Sequence, residues 1–219
     1  MISPIVHIID DDPHLGRALT RLLRSHGYGV QSYTHSAQFL GYMPTHGPEC
    51  LLLDLKLPEI TGLDLQKILS RQIECLPVIF MSGQADVESS IRAMKAGAID
   101  FLLKPFDDDQ LLLAIRSALS FSDQALSKQH EFKKDHLAFI SLTPREQQVC
   151  LGIAQGLLNK QVGYELGTTE KTVKAQRARV MHKLGASSLP DVVRIVERLR
   201  AGGAIPADCV RPQSKEWAS

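Results

Sequence analysis

The sequence predicts an α/β domain built on a five-stranded parallel sheet, followed by a smaller all-α domain. Three observations carry this reading. Over the first 120 residues, five short apolar runs alternate with segments of helical period. Beyond residue 140 only helical periods remain. Charge divides along the same line: residues 1–125 hold 10 Lys and Arg against 15 Asp and Glu, and residues 138–219 hold 12 against 7. The net charge of +1 conceals that split. An acidic half and a basic half point to domains with different partners.

Taken in order, the run Ile5–Ile9 is a buried strand that stops at Asp10-Asp11-Asp12. Asp12 fits an N-cap and Pro13 a first helical turn, with Leu15, Leu19, Leu22 and Leu23 as the apolar stripe. A strand near 30–33 and a helix around 37–42 follow. Residues 50–53 form the third strand, ending at Asp54. Residues 63–69 are helical and 77–81 are the fourth strand. Val87, Ile91 and Met94, spaced four and three apart, mark the next helix, which Gly97 is placed to end. Residues 101–103 are the fifth strand, and the last helix presents Leu111, Ile115, Ala118 and Leu119.

In a parallel sheet covered on both faces, ligands bind beyond the carboxyl ends of the strands. Asp10 and Asp11 follow the first strand, Asp54 the third, Ser82 the fourth and Lys104 the fifth. Clustered carboxylates repel unless a cation compensates them, and Mg²⁺ suits an all-oxygen donor set. A carboxylate can attack phosphorus to form an acyl phosphate when the transferring oxygens are neutralised. Asp54 is then the nucleophile. Asp10, Asp11 and Asp54 hold the metal with the Lys56 backbone carbonyl, and Ser82 and Lys104 bind phosphoryl oxygens. A cis Lys104-Pro105 bond would aim the lysine inward; the sequence leaves the isomer open. The alternative is a Mg²⁺-dependent phosphohydrolase working through an aspartyl phosphate. Such enzymes usually carry a second acid two residues after the nucleophile, where this chain has Lys56.

DDD at 10–12, Asp54 after LLL, SGQAD at 82–86 and DFLLKPF at 100–106 resemble the receiver domain of bacterial two-component response regulators. The resemblance implies a (βα)5 flavodoxin-like fold over residues 1–121. It implies phosphoryl transfer to Asp54 from a sensor histidine kinase, and a switch pair of Ser82 and Phe101.

Residues 122–139 are polar, lack Gly and Pro, and carry only a broken stripe of Phe121, Ala125, Phe132 and Leu137. They read as a linker able to extend the preceding helix. The second domain, 140–201, opens with a capping box: Thr143 as N-cap, Pro144 at N1, Glu146 at N3. Asn159 is placed to cap a short second helix, Thr168 or Thr169 a third and Ser188 a fourth. Helices joined through Leu166-Gly167-Thr168-Thr169 form a helix-turn-helix candidate. On the third helix Val173, Val180 and Leu184 share one face. Lys171, Lys174, Ala175, Ala178 and His182 share the opposite one, a small basic face suited to the major groove. Thr168, Thr169, Arg177, Arg179 and Lys183 lie at its start or flanks, placed for phosphates, and Thr172 completes the expected DNA-binding set. Gly163 sits where a better helix former is usual, at a cost of up to about 1 kcal/mol.

LTPREQQVC, GLLNKQV, TVKAQRARVMHKLGA and SLPDVVRIV resemble the LuxR-type helix-turn-helix of the NarL/FixJ class. That resemblance puts base contacts at Lys174, Ala175 and Ala178. It also implies double-stranded DNA as a partner, RNA polymerase as a further candidate, and homodimerisation on phosphorylation. The four cysteines lack metal-ligand spacing and read as free thiols. No apolar run of membrane-spanning length occurs, and the expected location is cytoplasmic. The stretch 202–219 is expected to be a flexible tail.

Overall fold

The computed structural model describes residues 3–45, 47–73, 75–83 and 87–205, apart from the side chain of Val87. The residues expected to form the tail lie outside this range from 206 on, as do Gln84, Ala85 and Asp86 of the SGQAD run. Two compact units divide the chain, Met1–Ser127 and Lys128–Ser219.

The first unit runs β1 (Ile5–Ile9), α1 (Pro13–Ser25), β2 (Gly29–Tyr33), α2 (Ser36–Phe39) and β3 (Glu49–Asp54). It continues with α3 (Gly62–Gln72), β4 (Val78–Ser82), α4 (Val87–Lys95), β5 (Asp100–Leu103) and the beginning of α5 (Asp108–Ile140). The sheet order is β2-β1-β3-β4-β5, all pairs parallel. Strand order reverses between β1 and β3, which opens a crevice at their carboxyl ends. β3 and β4 are buried along their whole length, as strands covered on both faces must be. Val6, Ile8, Leu52 and Met81 pack under α1 and α5, with Leu111, Ile115 and Ala118 all buried. Ile9, Leu51, Leu53 and Phe80 pack on the other side, against Phe39, Leu65 and Leu69.

α4 forms where the spacing of Val87, Ile91 and Met94 marks a helix. Ile91 and Met94 are each 48% exposed, and Ser89 and Ala93 are the residues turned inward. Periodicity identifies the helix, but small residues, which let it lie close to the sheet, choose its face.

The second unit comprises the rest of α5, then α6 (Pro144–Ala154), α7 (Asn159–Glu165), α8 (Glu170–Leu184) and α9 (Leu189–Ala201). Its core joins Phe139, Val149, Ile153, Val162, Val173, Val180, Val192 and Val196. Thr143 and Glu146 form the expected capping box, with Pro144 in the first turn. Asn159 is the first helical residue of α7 and not its cap; Gln161 instead accepts the Leu158 N–H at 2.8 Å. Residues 122–139 are helical throughout, within α5. Their inward residues are Ser122, Asp135 and Phe139, while Phe121 and Leu137 of the expected stripe are exposed. Gly163 is no lapse of helix propensity, because a Cβ there would stand 2.9 Å from the Thr168 backbone oxygen. Among the described residues no helix is long and apolar enough to cross a membrane.

Candidate functional site

The crevice is built from strand ends. β1 delivers Asp10, whose Oδ1 accepts the Asp12 N–H at 2.9 Å. Asp12 in turn caps α1, accepting the His14 N–H at 2.8 Å. Asp54 is the last residue of β3, and its Oδ1 accepts the Lys56 N–H at 2.9 Å. From beyond β5, Lys104 Nζ donates to Asp10 Oδ2 and to Asp54 Oδ2, each at 2.6 Å. The Lys104-Pro105 bond is cis. Ligand atoms of Asp10, Asp11 and Asp54 all lie within 4.8 Å of one another; Asp10 and Asp54 are buried and Asp11 is exposed.

The electrostatics follow from that packing. Burial pushes the Asp10 carboxyl above the usual carboxylate range, against the opposing pull of Lys104 and the Asp12 N–H. Burial also works to lower Lys104, but its hydrogen bonds to Asp10 and Asp54 outweigh it and hold the ammonium above its ordinary value. One ammonium for three carboxylates leaves a deficit of positive charge. The all-oxygen donors, one of them open to solvent, therefore fit a hard divalent cation.

Ser82 is buried at the end of β4, and its backbone oxygen accepts the Lys104 N–H at 2.7 Å. Phe101 is half-buried on β5 and lines an open depression of about 490 Å³ with Leu103, Pro105 and Leu113. Lys56 is exposed and bridges to Thr61, closing the loop after β3.

Sequence reasoning passed over Gly62. Its N–H donates to the Leu55 oxygen at 3.0 Å, and a Cβ added there would lie 2.4 Å from the Asp54 oxygen. α3 thus starts directly against the Asp54 backbone. A glycine straight after the helix cap Thr61, where a better helix former costs less, was the available signal.

In the second unit Val173, Val180 and Leu184 are buried while Lys171, Lys174, Ala175, Ala178, Arg179 and His182 are exposed. Thr169 caps α8 by accepting the Thr172 N–H at 3.2 Å, and Thr168 donates its N–H to the Gly163 oxygen at 2.8 Å. Arg177 is half-buried and donates to Asn159 Oδ1 at 3.3 Å. Lys183, expected among the phosphate contacts, is exposed and pairs within the domain. Its Nζ is committed to the buried Glu146, at 2.6 Å, because the start of α6 would otherwise hold an uncompensated carboxylate.

Residues 6–116 match the response regulator receiver domain family, and residues 140–196 match the luxR family of bacterial regulatory proteins. The response regulator protein TmoT of Ectopseudomonas mendocina is 41% identical, over 90% of this chain and 89% of its own. The transcriptional regulatory protein FixJ of Azorhizobium caulinodans is 39% identical, over 94% of this chain and 97% of its own. The chain is a two-component response regulator of the NarL/FixJ class. The solved structure of the response regulator StyR superposes with a TM-score of 0.80 at 38% identity, covering 90% of this chain and all of that one.

As a response regulator, the protein joins a phosphorylation-controlled receiver to the DNA-binding domain of a transcription regulator. A sensor kinase and DNA are the partners those two domains imply. The luxR-family domain sets it among transcription factors.

Proposed function

We propose that Asp54 is the phosphoacceptor and that its phosphorylation governs DNA binding by α8. The observation that carries this is the position of Lys104 Nζ, 2.6 Å from both Asp10 and Asp54. An Asp54 carboxylate oxygen attacks the phosphorus of a phosphohistidine on a sensor kinase. The P–N bond breaks as the new P–O bond forms, and the imidazole nitrogen keeps the electron pair. Lys104 and the Ser82 hydroxyl receive the phosphoryl oxygens. Mg²⁺, held by Asp10, Asp11, Asp54 and the Lys56 carbonyl, would neutralise charge on those oxygens. Movement of Ser82 towards the phosphoryl group draws Phe101 inward and alters the surface of α4, β5 and α5. That surface already exposes Ile91, Met94, Leu103 and Leu113, a patch suited to an isologous homodimer. Two α8 helices would then meet paired half-sites, with Lys174, Ala175 and Ala178 at base edges. Lys171, Thr168, Thr169, Thr172, Arg177 and Arg179 would contact phosphates.

The experiment is intact mass after incubation with acetyl phosphate and Mg²⁺. A gain of one phosphoryl group in wild type, lost on omitting Mg²⁺ and in Asp54→Asn, is the expected result. An adduct that persists in Asp54→Asn would overturn the assignment.

A further inference from the structure

The receiver carries a second feature, on the sheet edge opposite β5. Arg17, Arg21 and Arg24 lie along α1, and none forms an ion pair among the described residues, although this half of the chain has an excess of acids. Arg17 donates only to the His14 ring, at 3.1 Å, and Arg24 only to the Val30 oxygen, at 3.4 Å. With Ser32 and Thr34 of the β2 side they line a groove of about 530 Å³. Gly16 forms its floor, and a Cβ there would lie 2.8 Å from Ser32 Oγ.

β2 is an edge strand, paired only with β1. Its Gly29 N–H donates to Pro4 and its Tyr33 oxygen accepts from Asp10, so the odd-numbered residues turn their peptide groups towards β1. Strand alternation turns those of Val30 and Ser32 outward. The contact from Arg24 to the Val30 oxygen marks that outward row.

The geometry points to this edge as a docking site for an extended acidic segment of a partner protein, added as a sixth strand beside β2. Spacing favours such a segment over a single phosphate group. Arg17 and Arg21 are about 6 Å apart along the helix axis, and Arg21 and Arg24 about 4.5 Å. Alternate side chains of a strand recur at about 6.7 Å, so carboxylates at every second residue can meet successive guanidinium groups. The negative balance of the receiver disfavours a long polyanion such as DNA. Peptide pairing supplies affinity and the arginines supply specificity.

The test is amide chemical-shift titration of the ¹⁵N-labelled full chain with the pentapeptide Glu-Val-Glu-Val-Glu. A second peptide has the same sequence with every peptide nitrogen methylated, so it carries equal charge and no backbone N–H donor. Shifts are expected at Val30, Ser32 and Thr34 with the first peptide alone. The exposed triple variant Arg17→Ala/Arg21→Ala/Arg24→Ala should bind at least tenfold more weakly, with its other amide signals unmoved. Equal binding of both peptides, or of pyrophosphate, would reduce the groove to simple anion attraction and overturn strand addition. Shifts confined to α8 would overturn the site itself. Asp54→Asn should behave as wild type here, so either proposal can fail alone.

Discussion

Lys183, near the end of α8, donates its ammonium to the carboxylate of Glu146 in the first turn of α6, 2.6 Å away. Glu146 Oε2 also accepts the Thr143 N–H at 2.9 Å. One buried carboxylate therefore completes the cap of α6 and anchors the end of α8.

The ion pair holds the Glu146 carboxyl below its ordinary value. A depressed carboxyl stabilises the fold above its unfolded value, near 4.5, and that contribution is lost as pH falls through the lower folded value. Glu146→Gln should flatten this acid-side loss, read as the midpoint of thermal unfolding between pH 6 and pH 3. Lys183→Met should lower the midpoint at pH 7 while leaving the salt dependence of DNA binding unchanged. A reduced salt slope in Lys183→Met would return that residue to the phosphate contacts.

Asp10 has the opposite sign. Its raised carboxyl makes ionisation costlier in the folded receiver than in the unfolded chain, so its contribution declines as pH rises through the folded value. Without divalent ions, Asp10→Asn should unfold at a higher temperature than wild type at pH 7. Mg²⁺ at a hundredfold excess over Kd should stabilise wild type by about 2.7 kcal/mol and Asp10→Asn far less. Calorimetry with and without Mg²⁺ reads both, and an equal Mg²⁺ response in the two proteins would remove Asp10 from the donor set.

On α8, charge and identity should separate. Lys171→Ala or Arg179→Ala should weaken binding to all sequences alike and lower the salt slope by about 0.9 each. Ala178→Lys should instead change which operator is preferred, because Ala178 can offer a thymine only its methyl group. Binding selections on randomised duplexes distinguish the two outcomes.

Leu113→Glu places a charge on the exposed patch of α5. Phosphoryl uptake should be unchanged and phosphorylation-dependent self-association at least tenfold weaker by sedimentation. Dimers of undiminished affinity would move the interface elsewhere.

The segment Lys128–Ile140 should behave as part of the DNA-binding unit. Arg198 of α9 holds it through Asp135 at 2.8 Å and Glu131 at 3.1 Å, and Phe139 is buried. In the full chain Phe139→Ala should cost about 3 kcal/mol, and Leu137→Ala, whose side chain is exposed, about 0.5 or less. Chemical denaturation compares them directly.

Strand ends were legible because an acid, hydroxyl or lysine after an apolar run breaks the pattern abruptly. Asp10, Asp54, Ser82 and Lys104 all announce themselves that way. Caps were legible for a similar reason: Thr143-Pro144-x-Glu146 is local chemistry. Illegible were the features set by a distant partner. The direction of Ile91 and Met94 depends on how closely Ala93 and Ser89 approach the sheet. The inward face of residues 128–140 depends on Arg198, some sixty positions away. Lys183 looked like its basic neighbours until Glu146 was placed beneath it.

Gly62 has a consequence of another kind. With the Asp54 oxygen 2.4 Å from where a Cβ would go, all nineteen other amino acids bring the same obstructing atom. In mutational space the position has no neighbours. A survey of inactivating changes should therefore find this chemically inert residue as intolerant as the aspartate it leans on, and the isosteric exchange that can rescue other sites does not exist for it.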